Sequence, residues 1–400
     1  MRFLHNRWFI LGKNKKIVIS GYYGFGNLGD EAVLTSIIER LNEEIDSPEI
    51  VVISNSDKVE MSGRYNVRCI GRLSLLQIIC EIASCDMLIS GGGGLLQDST
   101  GFLTVVYYLG IVRIARFFRK KIFFYAQGGG PLSLEKSRKM VKDVCSKVDL
   151  ITVRDEESSE VFKSAGVTAP ICVTADPVIA IKRLEESEAD SFFKSAVPDF
   201  KKGKKLNIAI SVRPWKSENN YIEEVAASCD MISEKYNADI YLIPFQITQD
   251  LSVCRELAGK MKSESRIIMP EDSEGGIFQY SSKEMAAIIG NMDLVIAMRL
   301  HALILAAVGE VPAAGIIYDP KVRIFAESAG MESWDLDRID RNSIFSFVER
   351  FLAERDEMIE AGAEKVAVLK ERSLLTAKAV ADLLAGGRPE DIIKKRGLAI

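Results

Sequence analysis

Short apolar runs alternate with longer amphipathic stretches from residue 17 to residue 317, in a β–α rhythm. The runs at 17–22, 50–53, 86–90, 122–126, 149–153 and 171–174 predict buried strands. Helical spacing predicts helices over 30–41, 104–118 and 156–165. One phrase recurs, an acid, an apolar strand and then a special turn: CDMLIS-GGGG, VDLITV-RDEE and MDLVIA-MRLH. Its spacing is irregular, which suits repeated β–α units and not a solenoid.

A polar, Glu/Lys-rich stretch at 182–205 interrupts the rhythm and predicts an interdomain linker. A second set then begins, with strands at 206–212, 240–243 and 266–269 and helices at 221–236, 250–261 and 284–290. The stretch MRLHALILAAVGEVPAAGIIYDPK completes it: strand 294–297, helix 301–308, strand 311–317 and a loop that carries Lys321. Residues 342–384 are strongly helical, and the Lys394-Lys395-Arg396 tail is expected in solvent. The predicted class is α/β: two doubly wound Rossmann-like domains, 1–181 and 206–335, face a cleft in the GT-B manner. C-terminal helices over 336–400 pack back over them.

Composition narrows the function. The length of 400 residues fits two ordinary domains, and a net charge of −4 gives no sign of a nucleic-acid partner. Seven scattered cysteines without a Cys-x-x-Cys pair read as reduced thiols of a cytoplasmic protein, not a zinc site. Two histidines, His5 and His301, make a histidine-based metal centre unexpected, so no metal and no cofactor is predicted. No apolar run reaches membrane-spanning length, and the apolar run at 8–11 is too short for a signal-peptide core.

The candidate chemistry falls at strand ends. Arg299, His301 and Lys321 meet at the carboxyl edge of a parallel sheet, beside a helix N-terminus, and suit a small, strongly anionic ligand. His301 also reads as a cap or packing residue. The loop Gly24-Phe25-Gly26-Asn27-Leu28-Gly29 has dinucleotide spacing, but Asp30 and Glu31 stand where a pyrophosphate would bind. Asn27 and Asp30 suit sugar hydroxyls better, or Asp30 is simply a helix cap. The four glycines at 91–94, Gly92 and Gly93 among them, let backbone approach a ligand closely, with Gln97 and Asp98 following. The helix at 104–118 ends in Arg113, Arg116, Arg119, Lys120 and Lys121. It reads either as a core helix whose dipole favours a basic end or as a helix resting on anionic lipid at the inner membrane face.

The motifs GYYGFGNLGDEAVL, SGGGGLLQD, YAQGGGPL, TVRDEESSE, TADPV, SVRPW, IPFQITQD and MRLHALILAAVGEVPAAGIIYDPKV occur in order from residue 17 to about 325. Together they resemble the polysaccharide pyruvyl transferase family, and within it the CsaB-like enzymes of cell-wall polymer synthesis. The chain departs at Gln246-Ile247, where a histidine is also expected after Ile243-Pro244-Phe245. The resemblance implies transfer from phosphoenolpyruvate to a sugar, forming a pyruvyl ketal across two hydroxyls with release of phosphate and no metal. It implies a lipid-linked acceptor bearing N-acetylmannosamine, held by the first domain with the donor on the second, and a ketal that anchors S-layer proteins. Arg299, Lys321 and Arg154 then clamp phosphate and carboxylate, and His301 is the acid or a phosphate ligand. Arg213 lines the same cleft. Asn27, Asp30, Gln97 and Asp98 face the sugar, one of the acids serving as base, with Gly92, Gly93, Gln127 and Gln246 also at the substrate. Asp155 reads equally as a neighbour's ion-pair partner. The rival readings are a nucleotide-sugar glycosyltransferase of GT-B fold and a non-catalytic glycan-binding relative.

Overall fold

The computed structural model describes residues 14–56, 66–99, 101–198, 205–217, 219–270 and 280–399, together with Phe200 and Gly203. The readings made on His5 and on 8–11 lie outside the described residues. The first sheet holds β1 (Lys16–Ser20), β2 (Glu49–Ser54), β3 (Val67–Gly71), β4 (Met87–Ser90), β5 (Gly93–Leu96), β6 (Lys121–Gly129), β7 (Leu150–Val153) and β8 (Ile171–Val173). Its order is β3-β2-β1-β4-β6-β7-β8, with β5 also paired to β6, and every pairing is parallel. The intervening helices are α1 (Leu28–Glu44), α2 (Leu75–Ser84), α3 (Phe102–Phe117), α4 (Glu135–Cys145) and α5 (Glu156–Ser164), followed by a 3-10 turn at Pro177–Ala180. The crossing segment is not bare linker, since it forms α6 (Glu186–Ala196), whose Phe193 is buried in the central core.

The second sheet holds β9 (Asn207–Ser211), β10 (Asp239–Leu242), β11 (Ser265–Ile267), β12 (Leu294–Ala297), β13 (Ala313–Ile317) and β14 (Glu332–Asp335), in the order β11-β10-β9-β12-β13-β14. Its helices are α7 (Tyr221–Tyr236), α8 (Ile247–Lys260), α9 (Ser282–Ile289), α10 (Leu300–Val308) and α11 (Pro320–Ala329). Near-continuous apolar strands such as EIVVIS and LVIA are buried on both faces, as parallel sheets covered by helices require. Strand order reverses between β1 and β4 in one sheet and between β9 and β12 in the other. These two reversals place crevices at the carboxyl ends of the strands.

One apolar core is shared by both sheets. It joins Ile37 and Ile38 of α1 to Ile288 of α9, Leu303 of α10 and Val380 of the C-terminal helices. Two further cores lie on the outer faces, one under α2 to α5 and one under α7 and α8. Inside the shared layer, Lys283 of α9 pairs with the fully buried Glu39 of α1 at 2.5 Å, and Glu39 also accepts the Lys182 N–H at 3.1 Å. The chain ends with α12 (Arg341–Ala353), α13 (Arg355–Leu384) and α14 (Pro389–Arg396). Helix α13 returns across α11 to α1, β6 and the 3-10 turn, and Val173 of β8 donates its N–H to the Ala399 carbonyl at 2.9 Å.

Candidate functional site

The two crevices meet where α1 and α10 begin. Asn27 caps α1 by accepting the Gly29 N–H at 3.2 Å, and its amide donates to Asp30 Oδ2 at 2.5 Å. Gly29 lies directly against His301 of α10: a Cβ there would sit 2.1 Å from Nδ1. The backbone N–H of Leu28 donates to the Phe245 carbonyl at 3.0 Å, fixing the start of α1 on the second domain. His301 Nε2 is buried without a hydrogen-bond partner and faces Asp176 Oδ2 at 3.8 Å. That oxygen also lacks a hydrogen-bond partner, while the other oxygen of Asp176 accepts the Val178 N–H at 3.1 Å to start the 3-10 turn. Arg154, at the end of β7, brings Nη1 to 3.6 Å from the same Asp176 oxygen, and its Nε donates to Asp155 at 3.1 Å. Asp155 in turn caps α5 through the Ser158 N–H at 2.7 Å. Gly128 leaves room for the guanidinium, since a Cβ there would lie 3.0 Å from Arg154 Cζ.

Arg154, Asp176 and Lys321 line one crevice with Leu300, Ile304 and Phe325. Lys321 enters α11 just after its cap Asp319, which its Nζ pairs at 3.2 Å, and it stays partly exposed. Two buried polar atoms that face each other without hydrogen bonds are costly in an empty interior. Here Asp176 lines the crevice with His301 Nε2 facing it, and the pair suits a ligand that supplies partners to both.

Burial pushes His301 down to about 4, opposed by Asp176 and assisted by Arg154, Lys321 and Arg299. The neutral imidazole is therefore the form favoured at neutral pH, which of the two expected roles, acid or phosphate ligand, suits that of ligand better. A neutral ring can still accept or donate to a ligand, and a bound dianion would favour its protonation. Asp30 behaves oppositely. Burial, Glu31 and Asp176 raise it to about 7 against the pull of Lys321 and Arg154. It is the carboxyl group whose proton is available near neutrality.

Other expected site residues are engaged elsewhere. Arg299 is buried and forks onto Asp250, with Nε–Oδ2 at 3.0 Å and Nη2–Oδ1 at 2.5 Å. Fully buried Asp250 also accepts the N–H groups of Phe245 and Gln246 at 3.0 and 2.9 Å. Arg299 thus braces the turn after β10, where Gln246 is buried, and is not a free anion clamp. Both carboxylate oxygens of Asp98 accept backbone donors, Ser133 at 3.0 Å and Leu134 at 2.8 Å. Burial pushes that carboxyl up, but these N–H groups outweigh it and hold Asp98 below the usual range. It ties the start of α4, so both of its oxygens, expected at the sugar, already hold backbone partners. Gln127 is fully buried, donates to the Gly93 carbonyl at 2.5 Å and fastens β5.

Gly92 is packed by protein, since a Cβ there would meet Val33 at 3.0 Å. The close approach that it permits in this structure is that of the protein's own side chains. Gly93, at φ +96°, lies beside Asp30, whose Oδ1 is 3.2 Å from where a Cβ would be. Gln97 packs on Gly130 and accepts the Ser99 hydroxyl at 3.1 Å. Arg213, after β9, donates from Nη1 to the Tyr318 hydroxyl at 3.0 Å and lies 4.8 Å over that ring. Its buried Nε has no hydrogen-bond partner. Tyr318 packs edge-on against exposed Trp215 at 4.9 Å, and Lys321 Nζ is 5.7 Å from the Tyr318 ring. Arg213 therefore extends the Lys321 side of the crevice into an aromatic ledge.

Sequence reasoning did not select Asp176, Gly29, Asp250 or Tyr318. Asp176 and Asp250 lie inside the TADPV and IPFQITQD motifs, so the signal was present, but only the fold shows that one meets His301 and the other Arg299.

Solved structures share this fold. The Anabaena Alr3699/HepE complex with UDP-glucose superposes with a TM-score of 0.63 at 9% identity, over 93% of this chain and 100% of that one. UDP-GlcNAc 2-epimerase from Neisseria meningitidis, bound to UDP-GlcNAc, gives 0.62 at 12% identity, over 94% and 100%. The S. aureus MnaA–UDP structure gives 0.61 at 11% identity, over 94% and 99%. At such identities the likeness is one of GT-B-type architecture, two Rossmann-like domains, and not of chemistry. No curated protein sequence matches the chain significantly. The family model for polysaccharide pyruvyl transferase matches residues 27–320, which span α1, the Arg154–Asp176–His301 contact and the Asp250–Arg299 brace, and the chain accordingly belongs to the polysaccharide pyruvyl transferase family.

Proposed function

We propose that the protein transfers the enolpyruvyl unit of phosphoenolpyruvate onto a sugar, forming a pyruvyl ketal and releasing phosphate. The observation that carries this reading is the meeting of His301, Asp176, Arg154 and Lys321 with a carboxyl group, Asp30, that retains its proton near pH 7. Arg154 and Lys321 supply charge for the carboxylate and phosphate of the donor, the N-termini of α10 and α11 supply backbone N–H groups, and His301 Nε2 supplies a hydrogen bond. Asp30 gives its proton to the donor's methylene carbon, leaving an electron-deficient C2. A sugar hydroxyl adds to C2 and returns its proton to the Asp30 carboxylate. A second hydroxyl replaces phosphate at C2: the C–O bond to phosphate breaks, phosphate leaves with the electron pair, and the second hydroxyl's proton passes to the departing phosphate. Asn27 orients Asp30 throughout. No cofactor enters this scheme.

The proposed acceptor is an N-acetylmannosamine residue of a lipid-linked cell-wall polymer precursor, and the proposed setting is the cytoplasm or the inner membrane face. Among the described residues no helix is long and apolar enough to cross a membrane. The test is phosphate release from phosphoenolpyruvate with and without a synthetic N-acetylmannosaminyl acceptor, with the product weighed by mass spectrometry. Acceptor-dependent release with a pyruvylated sugar supports the proposal. No release over a panel of acceptors, together with transfer from a nucleotide sugar, replaces it with a glycosyltransferase reading.

A further inference from the structure

The five most exposed large apolar side chains of the described residues lie together in sequence: Leu73 (85%), Leu75 (59%), Leu76 (80%), Leu103 (79%) and Phe117 (80%). Leu73 precedes α2, Leu75 and Leu76 open it, and the other two stand near the ends of α3, which packs against α2. Along α3, Leu103, Val106, Gly110, Arg113 and Phe117 follow helical spacing and form one stripe. Nothing lies within 4 Å of where a Cβ on Gly110 would point, so the stripe faces outward. The opposite side, with Val105, Leu109 and Val112, is buried in the outer core of the first domain. The face is thus rigidly held and turned away from the second domain.

Its charge is one-sided. Residues 71–80 and 102–121 contain no Asp or Glu, whereas the whole chain carries −4. Arg113 and Arg119 are exposed and Arg116 and Lys120 half-buried. A second copy docked here would bring like charges together with no carboxylate to pair them, which disfavours self-association. Apolar side chains interleaved with cations instead complement an anionic bilayer.

We infer that the outward face of α2 and α3 is a membrane-docking surface that seats Leu73, Leu76, Leu103 and Phe117 among anionic lipids, with Arg113 and Arg119 at the headgroups. The face is tied to the site. The Arg72 guanidinium lies between Phe25 of the glycine-rich loop at 4.9 Å and Tyr107 of α3 at 4.8 Å, and the Arg72 carbonyl accepts the Tyr107 hydroxyl at 3.0 Å. A bilayer on this face lies next to the loop that ends at Asn27, where α1 and its Asp30 begin. Docking itself needs no turnover, so it stands or falls apart from the proposed reaction.

The test is flotation of the full chain with phosphatidylcholine vesicles, with and without phosphatidylglycerol. The wild type is expected to float with the anionic vesicles and to stay at the bottom with the neutral ones. L103E/F117E is expected to lose flotation with an unchanged thermal midpoint, and R113E to reduce binding by at least about 5-fold. Equal recovery of wild type and L103E/F117E, or no flotation of wild type, would overturn the inference. So would a dimer in sedimentation that L103E/F117E dissolves while neither protein floats, because the face would then belong to a second copy.

Discussion

Asp30 and His301 sit within one charged neighbourhood and are pushed in opposite directions. With its carboxyl at about 7, Asp30 is protonated in acid and ionised in mild alkali. Transfer that uses this proton is expected to decline above pH 7, and D30N should lower kcat by about 10²–10⁴-fold and remove that alkaline limb. The stability consequence has the opposite sign. A folded-state value above the unfolded one adds stability in acid that is lost as pH rises through about 7, so D30N should be more stable than wild type at pH 8, by on the order of 2 kcal/mol, and little changed at pH 4. Urea midpoints at the two pH values check this. His301, near 4 when folded, takes its proton first in the unfolded chain. It therefore removes stability as pH falls from its ordinary value toward 4, and H301Q should flatten that acid limb while raising KM for phosphoenolpyruvate.

At the scale of elements, the start of α1 is built around the imidazole it touches. G29A places a methyl group on His301 Nδ1, 2.1 Å away where contact is impossible, and must displace the ring or the helix. A loss of about 1–3 kcal/mol, with a fall in turnover beyond what stability explains, is the expected result of denaturation and kinetics together. D250N frees Arg299 and loosens the turn after β10; it should cost about 3–5 kcal/mol by leaving a buried guanidinium unpaired.

Several elements were legible from pattern. The helix expected over 221–236 is α7, and the apolar runs at 149–153 and 294–297 are β7 and β12 to within a residue. Those strands are covered on both faces, so they are apolar throughout. Three elements that escaped the pattern are half-covered. β3 (VRCIG) and the edge strand β14 (ESWD) are only partly buried, and α4 (EKSRKMVKDVC) is mostly charged around a narrow buried stripe. The site was legible by type and not by partner. Arg299 and Asp98 have the residue types of ligand groups, yet Arg299 is spent on Asp250 and Asp98 on two backbone donors, which only the tertiary fold determines.

Across the whole molecule, the two sheets share one core, and a buried ion pair crosses it. Glu39 and Lys283 hold α1 to α9 behind the point where α1 meets His301. K283M should cost about 3–5 kcal/mol, and E39Q/K283M should recover most of that, because the uncompensated charge is then gone and the amide still accepts from Lys182. Thermal midpoints of the three proteins decide this. The arrangement joins the halves of the site rigidly, Arg154 and Asp30 from one sheet and His301 and Lys321 from the other, and the proposed reaction uses both halves at one carbon. The most direct test is turnover of phosphoenolpyruvate and an N-acetylmannosaminyl acceptor in deuterated water, with the ketal methyl group analysed by mass spectrometry. Protonation of the methylene carbon predicts a pyruvylated sugar whose methyl carries a deuterium, with D30N sharply slowing its formation. A pyruvylated sugar without deuterium, or a glycoside formed from a nucleotide sugar and no ketal, would contradict it.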